Sequence, residues 1–205
     1  KYDNSDRKLI AKIHKAITII QFKIEGQMIK KHPEYNLENR LLLDKMDSKK
    51  GFVLIDGKKY ELNDINFPTI DKEKPYELTS KEKEVIERLT ESFIHSPSLN
   101  NHINFLFSKG EMYTVFNNNL LFHGCVPMNE DGTFKKVKFL GKELAGKAYF
   151  DEINEAVNKA YMTKQEELID IMWFLWLSPE SPFFGKDKMA TFESYFIKDS
   201  KTHKE

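Results

Sequence analysis

An α+β fold, mainly helical with short β-hairpins, is the class this sequence predicts, and three features carry it. Apolar residues recur every three or four positions over long stretches, starting with Ile10, Ile13, Ile17, Ile20, Ile24 and Met28. Short β-rich runs flank tight-turn residues, of which Asp56-Gly57 is the strongest pair. Hydrophobic residues make up 40% and charged residues 31% of the 205. That is enough apolar side chain to bury a core, and it excludes disorder throughout. At roughly 150 residues per domain, the length predicts one domain with a helical elaboration.

The elements follow in order. Asn4, Ser5 and Asp6 are candidate N-caps for a long first helix. Leu9, Ile19, Phe22 and Ile29 widen its apolar stripe, Lys8, Lys12, Lys15 and Lys23 are expected to keep one face wet, and most of its circumference is expected to pack against protein. It ends near His32-Pro33, because the residue before proline avoids the helical region. A shorter helix is expected over 37–46. Residues 52–55 and 59–62 read as a small surface hairpin around Asp56-Gly57, and 63–78, with Pro68 and Pro75, as a loop. Thr79 and Glu82 form a capping box before an amphipathic helix carrying Val85, Ile86, Leu89, Phe93 and Ile94. Pro97 and Gly110 bracket the next helix. Strands at 111–116 and 120–126 are joined by Asn117, Asn118 and Asn119, and Asp131-Gly132 marks a turn before a strand at 137–140. Two helices follow, on Phe150, Ile153, Val157 and Tyr161, then on Leu168, Ile171, Met172 and Leu175. The run Ser178-Pro179-Glu180-Ser181-Pro182 breaks the second.

Composition excludes several roles. Thirty-two basic and 32 acidic residues cancel, so no global field attracts nucleic acid or an anionic membrane. Cys125 is the lone cysteine; it permits no internal disulfide or zinc ribbon and points to a reducing, cytoplasmic setting. No apolar run approaches the ~20 residues a bilayer requires, and the first residues hold no signal-peptide core. Starting at Lys1 without an initiating Met, the chain is expected to be a segment of something longer.

The candidates for chemistry cluster late. His123 sits where an expected buried strand runs into Gly124, a placement that suits a metal ligand because the strand fixes the ring and glycine admits a close approach. It equally suits a core histidine bonded to backbone, and no partner ligands stand at metal-site spacing. Lys186 and Lys188, in a glycine-containing loop flanked by Phe184 and Met189, could meet a sugar phosphate as point charges or simply line a solvated turn. Asn129, Glu130 and Asp131 read as a turn, Cys125 as a structural thiol, and Trp173 and Trp176 as core. His14, the Lys30-Lys31-His32 cluster and the run of Glu82, Glu84 and Glu87 read as exposed faces.

The strand passage into His123-Gly124 resembles the metal-presenting strand of calcineurin-like metallophosphoesterases. More specifically, residues 7–27, 120–132 and 172–196, the last with its Phe184-Gly185-Lys186-Asp187-Lys188, are together similar to class III fructose-1,6-bisphosphatases of bacteria. That resemblance implies a manganese-dependent hydrolase of a sugar bisphosphate. It implies a two-metal β-sandwich flanked by helices, with 1–109 a mostly helical insertion containing a hairpin at about 52–62, and 110–205 part of the core. Of the family's ligands only His123 is matched; the Asp-x-His, Gly-Asp-x-x-Asp and Gly-Asn-His segments are absent, and Asn100-Asn101-His102 lies in a helix. No catalytic residue is assigned, and the segment alone is expected to be inactive. A rival reading is a helical module for homo-oligomerisation, without chemistry.

Overall fold

A computed structural model of the chain describes residues 3–188 and 190–199; Met189, named above beside the lysine loop, lies outside the described residues. The chain forms two compact units, Lys1–Glu91 with Ala190–Lys204, and Ser92–Met189.

The first unit is built on α1 (Asn4–Lys31). Its cap is Asp3, one residue before the expected candidates: the carboxylate accepts from the Ser5 and Asp6 N–H groups at 2.7 and 2.9 Å. In place of a helix over 37–46 there are three short 3₁₀ turns, Pro33–Tyr35, Glu38–Arg40 and Leu43–Lys45, and then β1 (Met46–Asp47). Single turns suit this stretch because Leu37, Leu42 and Leu43 are each buried at a spacing that no one helix face provides. The hairpin is present as β2 (Phe52–Ile55) and β3 (Lys58–Glu61), with Asp56 and Gly57 both left-handed at the turn. It is more than a surface feature: β1 extends it to three antiparallel strands, and Val53 and Ile55 point into the core with Ile19, Leu62, Phe67, Tyr76, Phe192 and Phe196. The last helix of this unit, α6 (Thr191–Phe196), escaped the sequence reading. The residues after it lie along the hairpin edge, where Asn63 N–H donates to Phe196 O at 2.7 Å and Lys198 N–H to Glu61 O at 2.9 Å.

Two buried ion pairs fix these pieces. Lys23 is fully buried, against the expectation of a wet face, and its ammonium donates to Glu82 at 2.8 Å and to Thr69 O at 2.5 Å. Glu82 is therefore not part of a solvated run. It also closes the capping box of α2 (Ser80–Ile94), accepting from Thr79 N–H at 2.8 Å while Thr79 Oγ accepts from Glu82 N–H at 3.3 Å. Arg40 makes a two-pronged bond to the fully buried Glu193 at 2.8 and 2.9 Å, tying the second 3₁₀ turn to α6.

The second unit contains α3 (Pro97–Lys109), bounded by Ser96 and Gly110 as expected, and the hairpin β4 (Tyr113–Phe116) and β5 (Asn119–Phe122). The turn is two residues, Asn117 and Asn118, both at positive φ, with Asn119 already in the strand. A second hairpin, β6 (Val137–Phe139) and β7 (Lys142–Leu144), turns at Leu140 and Gly141; only its first strand was legible. Helices α4 (Gly146–Thr163) and α5 (Glu166–Leu177) pack on each other with Tyr149, Phe150, Ile153, Ile171, Phe174 and Leu175 buried. The sheets among the described residues have three, two and two strands. No helix there is long and apolar enough to cross a membrane.

Burial raises the Glu82 carboxyl, but hydrogen bonds from Lys23, Thr79 and Thr69 outweigh it and hold it below the usual range. A carboxylate depressed in this way contributes stability above its unfolded pKa of about 4.3 and loses it as pH falls through the folded value. Urea unfolding should therefore show stability declining in that acid range, with a smaller decline in Glu82→Gln. Lys23→Met strands a buried carboxylate and should cost about 3–5 kcal/mol, most of it recovered in Lys23→Met/Glu82→Leu.

Candidate functional site

His123 leaves the end of β5 in a setting the sequence misjudged. The four residues of β5 are all exposed and so is the His123 ring, so the expected buried strand is an open hairpin. What holds the histidine is the backbone that follows it. Cys125 N–H donates to Pro182 O at 3.0 Å. A Cβ on Gly124 would stand 2.6 Å from Pro182 O and 3.0 Å from the Phe183 carbonyl carbon, closer than side chains approach. Glycine is needed here for proximity, because the two backbones meet at its α-carbon. The His123 ring then stands edge-on to Phe183, with centroids 5.5 Å apart. A cleft of about 290 Å³ opens there, lined by His123, Met172, Leu175, Trp176, Phe183 and Phe184.

The turn at 178–184 that receives Gly124 is itself built from buried polar groups. Ser178 and Ser181 are buried and hydrogen-bonded. Tyr149 OH donates to Glu180 O at 3.0 Å, and Lys135 pairs with the Glu180 carboxylate at 2.8 Å. Burial, with Glu180 nearby, pushes the Tyr149 phenol well above its usual range, so it stays a hydrogen-bond donor. In the sequence, Ser178-Pro179-Glu180-Ser181-Pro182 signals only a helix end. The available signal was two serines between apolar stretches, since buried hydroxyls imply partners.

Other expectations fare differently. Trp176 is 55% exposed and forms a wall of the cleft instead of core, because the face of α5 carrying it and Met172 is left bare. Cys125 is a half-buried free thiol, with Sγ 3.4 Å from Ser181 O, in line with a structural role. Asp131 accepts from Thr133 N–H and Oγ, the expected turn. His14 is exposed and meets Tyr195 edge-on. Lys186 and Lys188 follow the turn, but neither lines the His123 cleft.

Among the described residues no group of three or more His, Cys, Asp or Glu side chains could hold a metal ion. One exposed imidazole on a braced backbone fits a single contributed ligand, and it does not constitute a metal centre, which needs several donors.

A model of the family described as Firmicute fructose-1,6-bisphosphatase matches residues 1–205. The chain is 52% identical over 208 residues to a class 3 fructose-1,6-bisphosphatase of Clostridium tetani (strain Massachusetts / E88), covering 99% of this chain and 31% of that protein. It is 53% identical over 211 residues to the class 3 enzyme of Alkaliphilus metalliredigens (strain QYMF), covering 100% of this chain and 32% of that one. With the class 3 enzyme of Clostridium acetobutylicum it shares 50% identity over 209 residues, again 31% of the relative. The chain thus spans about a third of the length of the curated relatives it matches. No solved structure matches it.

Burial raises the Cys125 thiol above its ordinary value. Its alkylation rate by iodoacetamide, followed against pH, should therefore reach half-maximum above the free-thiol value of about 8.5; a midpoint at or below that value would show that the thiol is not desolvated.

Proposed function

We propose that this chain, which belongs to the Firmicute fructose-1,6-bisphosphatase family, is a segment of an enzyme that hydrolyses fructose 1,6-bisphosphate to fructose 6-phosphate and phosphate, and that it contributes His123 to the metal centre. The observation that carries the reading is the exposed His123 imidazole on a backbone braced at Gly124, with no further ligand set beside it among the described residues. The exposed histidine can supply a ring nitrogen, and the remaining donors come from the two thirds of the enzyme outside this chain. The fit with a calcineurin-like two-metal sandwich rests on the resemblance of the strand passage into His123-Gly124. Bound manganese there would polarise the phosphate and lower the pKa of an attacking water. Within this chain, the edge-to-face contact with Phe183 and the apolar cleft wall on one side restrict the directions the ring can take. Lys186 and Lys188 are assigned to the sugar bisphosphate as point charges, supported by their place in the loop following the turn. A reducing cytoplasmic setting is consistent with the lone, unbridged Cys125.

A second reading, a helical surface for homo-oligomerisation, is supported by one observation. Leu9, Ile10, Ile13 and Ile17 on the first half of α1 are each at least 47% exposed, so the stripe expected to pack against protein finds no cover within its own unit.

In the full-length enzyme, His123→Ala should reduce manganese-dependent phosphate release by at least about a hundredfold, and the 205-residue chain alone should release none. Near-normal activity of His123→Ala would remove the histidine from the centre. Lys186→Ala with Lys188→Ala should raise the Michaelis constant; an unchanged value would return both lysines to a solvated turn. Ile13→Lys with Ile17→Lys should shift the enzyme to a smaller species in sedimentation if the α1 face joins copies, and leave it unchanged otherwise.

A further inference from the structure

Helix α5 ends on a carbonyl that its own sequence cannot satisfy. Leu175 O would accept from the N–H four residues on, but that residue is Pro179, which has none. Ser181, with no exposed surface, replaces it: its hydroxyl donates to Leu175 O at 2.7 Å and accepts from Phe183 N–H at 3.1 Å. The Ser181 carbonyl in turn accepts from Phe184 N–H at 3.0 Å and lies 3.4 Å from the Cys125 thiol. One buried residue thus joins the end of α5, the turn on which Gly124 rests, and the phenylalanine in edge-to-face contact with the His123 ring.

We propose that Ser181 is a positioning residue for His123, setting the imidazole's direction through Pro182 and Phe183; this rests on the reading of His123 as a metal ligand. Without the hydroxyl, Leu175 O and Phe183 N–H lose partners inside a buried turn, and the turn must shift to find water. Pro182 O and the Phe183 ring shift with it, so the histidine keeps its chemistry and loses its aim. Groups hydrogen-bonded directly to a ligating residue are typically worth about 10–100-fold in metal affinity; Ser181 acts one contact further out, which puts its effect at the lower end of that range.

The test measures manganese binding directly in the full-length enzyme, by the electron paramagnetic resonance signal of free Mn²⁺ and without substrate, while circular dichroism monitors folding. Ser181→Ala should stay folded and raise the manganese dissociation constant about tenfold, in the same direction as His123→Ala and by less. A constant within about twofold of the unaltered enzyme, alongside clear weakening in His123→Ala, would overturn the proposal and leave Ser181 a purely structural residue. If His123→Ala itself binds manganese unchanged, the ligand reading fails and takes this proposal with it. Should Ser181→Ala not fold, Gly124→Ala attacks the same contact from the other side. The same loss of affinity there supports the proposal, and unaltered affinity overturns it.

Discussion

At Gly124 two stretches of backbone come so close that no side chain fits between them, and that contact decides where His123 stands. The hairpin β4–β5 is too short and too exposed to hold a side chain in place by its own packing. Direction has to come from the next two residues, Gly124 packed against the turn at 178–184 and Cys125, whose N–H donates to Pro182 O. The turn can act as an anchor because its polar groups are satisfied inside the protein: Ser181 substitutes for the N–H that Pro179 lacks, and Tyr149 holds Glu180. A residue 58 positions later in the chain, Ser181 against His123, is in this way part of what the histidine depends on.

The first unit is organised by a different constraint, the cost of burying charge. Lys23 and Glu193 have no exposed surface, and each is tolerated only because a partner with good geometry reaches it. Both pairs join segments distant in sequence, α1 to the start of α2 and a 3₁₀ turn to α6, so they specify which pieces belong together more than they add to stability. Glu82 does this while also capping α2, which couples the start of that helix to the position of α1.

Local signals were legible where the physics is local. Asp56-Gly57, the Thr79 and Glu82 capping box, and the Pro97 and Gly110 brackets each depend on a few neighbouring residues, and each element lies where its signal puts it. Failures came where distant residues decide. Lys23 belongs to a polar stripe by periodicity, yet its partner is 59 residues away. The apolar run over 37–46 reads as a helix, but Leu37, Leu42 and Leu43 are all buried at a spacing no one helix face provides, and 3₁₀ turns form in its place. Residues 120–122 are apolar and so read as buried, although in this chain they are bare, as are the first half of the α1 stripe and Trp176. Under the proposed function those bare faces have a common reading: apolar patterning records surroundings supplied by the rest of the enzyme, in keeping with a chain that spans about a third of the length of its relatives. The buried strand from which the sequence argues for His123 is an exposed hairpin, and the turn that braces the backbone after it lies in a run whose prolines signal only a helix end.

Under the proposed function, this chain contributes one braced histidine to a centre completed from elsewhere in the enzyme. Crystals of the full-length protein grown with manganese, with diffraction recorded on both sides of the manganese absorption edge, test it directly. The account predicts anomalous density within coordination distance of a His123 ring nitrogen, with Gly124 still against Pro182 and every other protein ligand lying outside these 205 residues. Manganese bound elsewhere, with the His123 ring making no contact to it, would contradict the account.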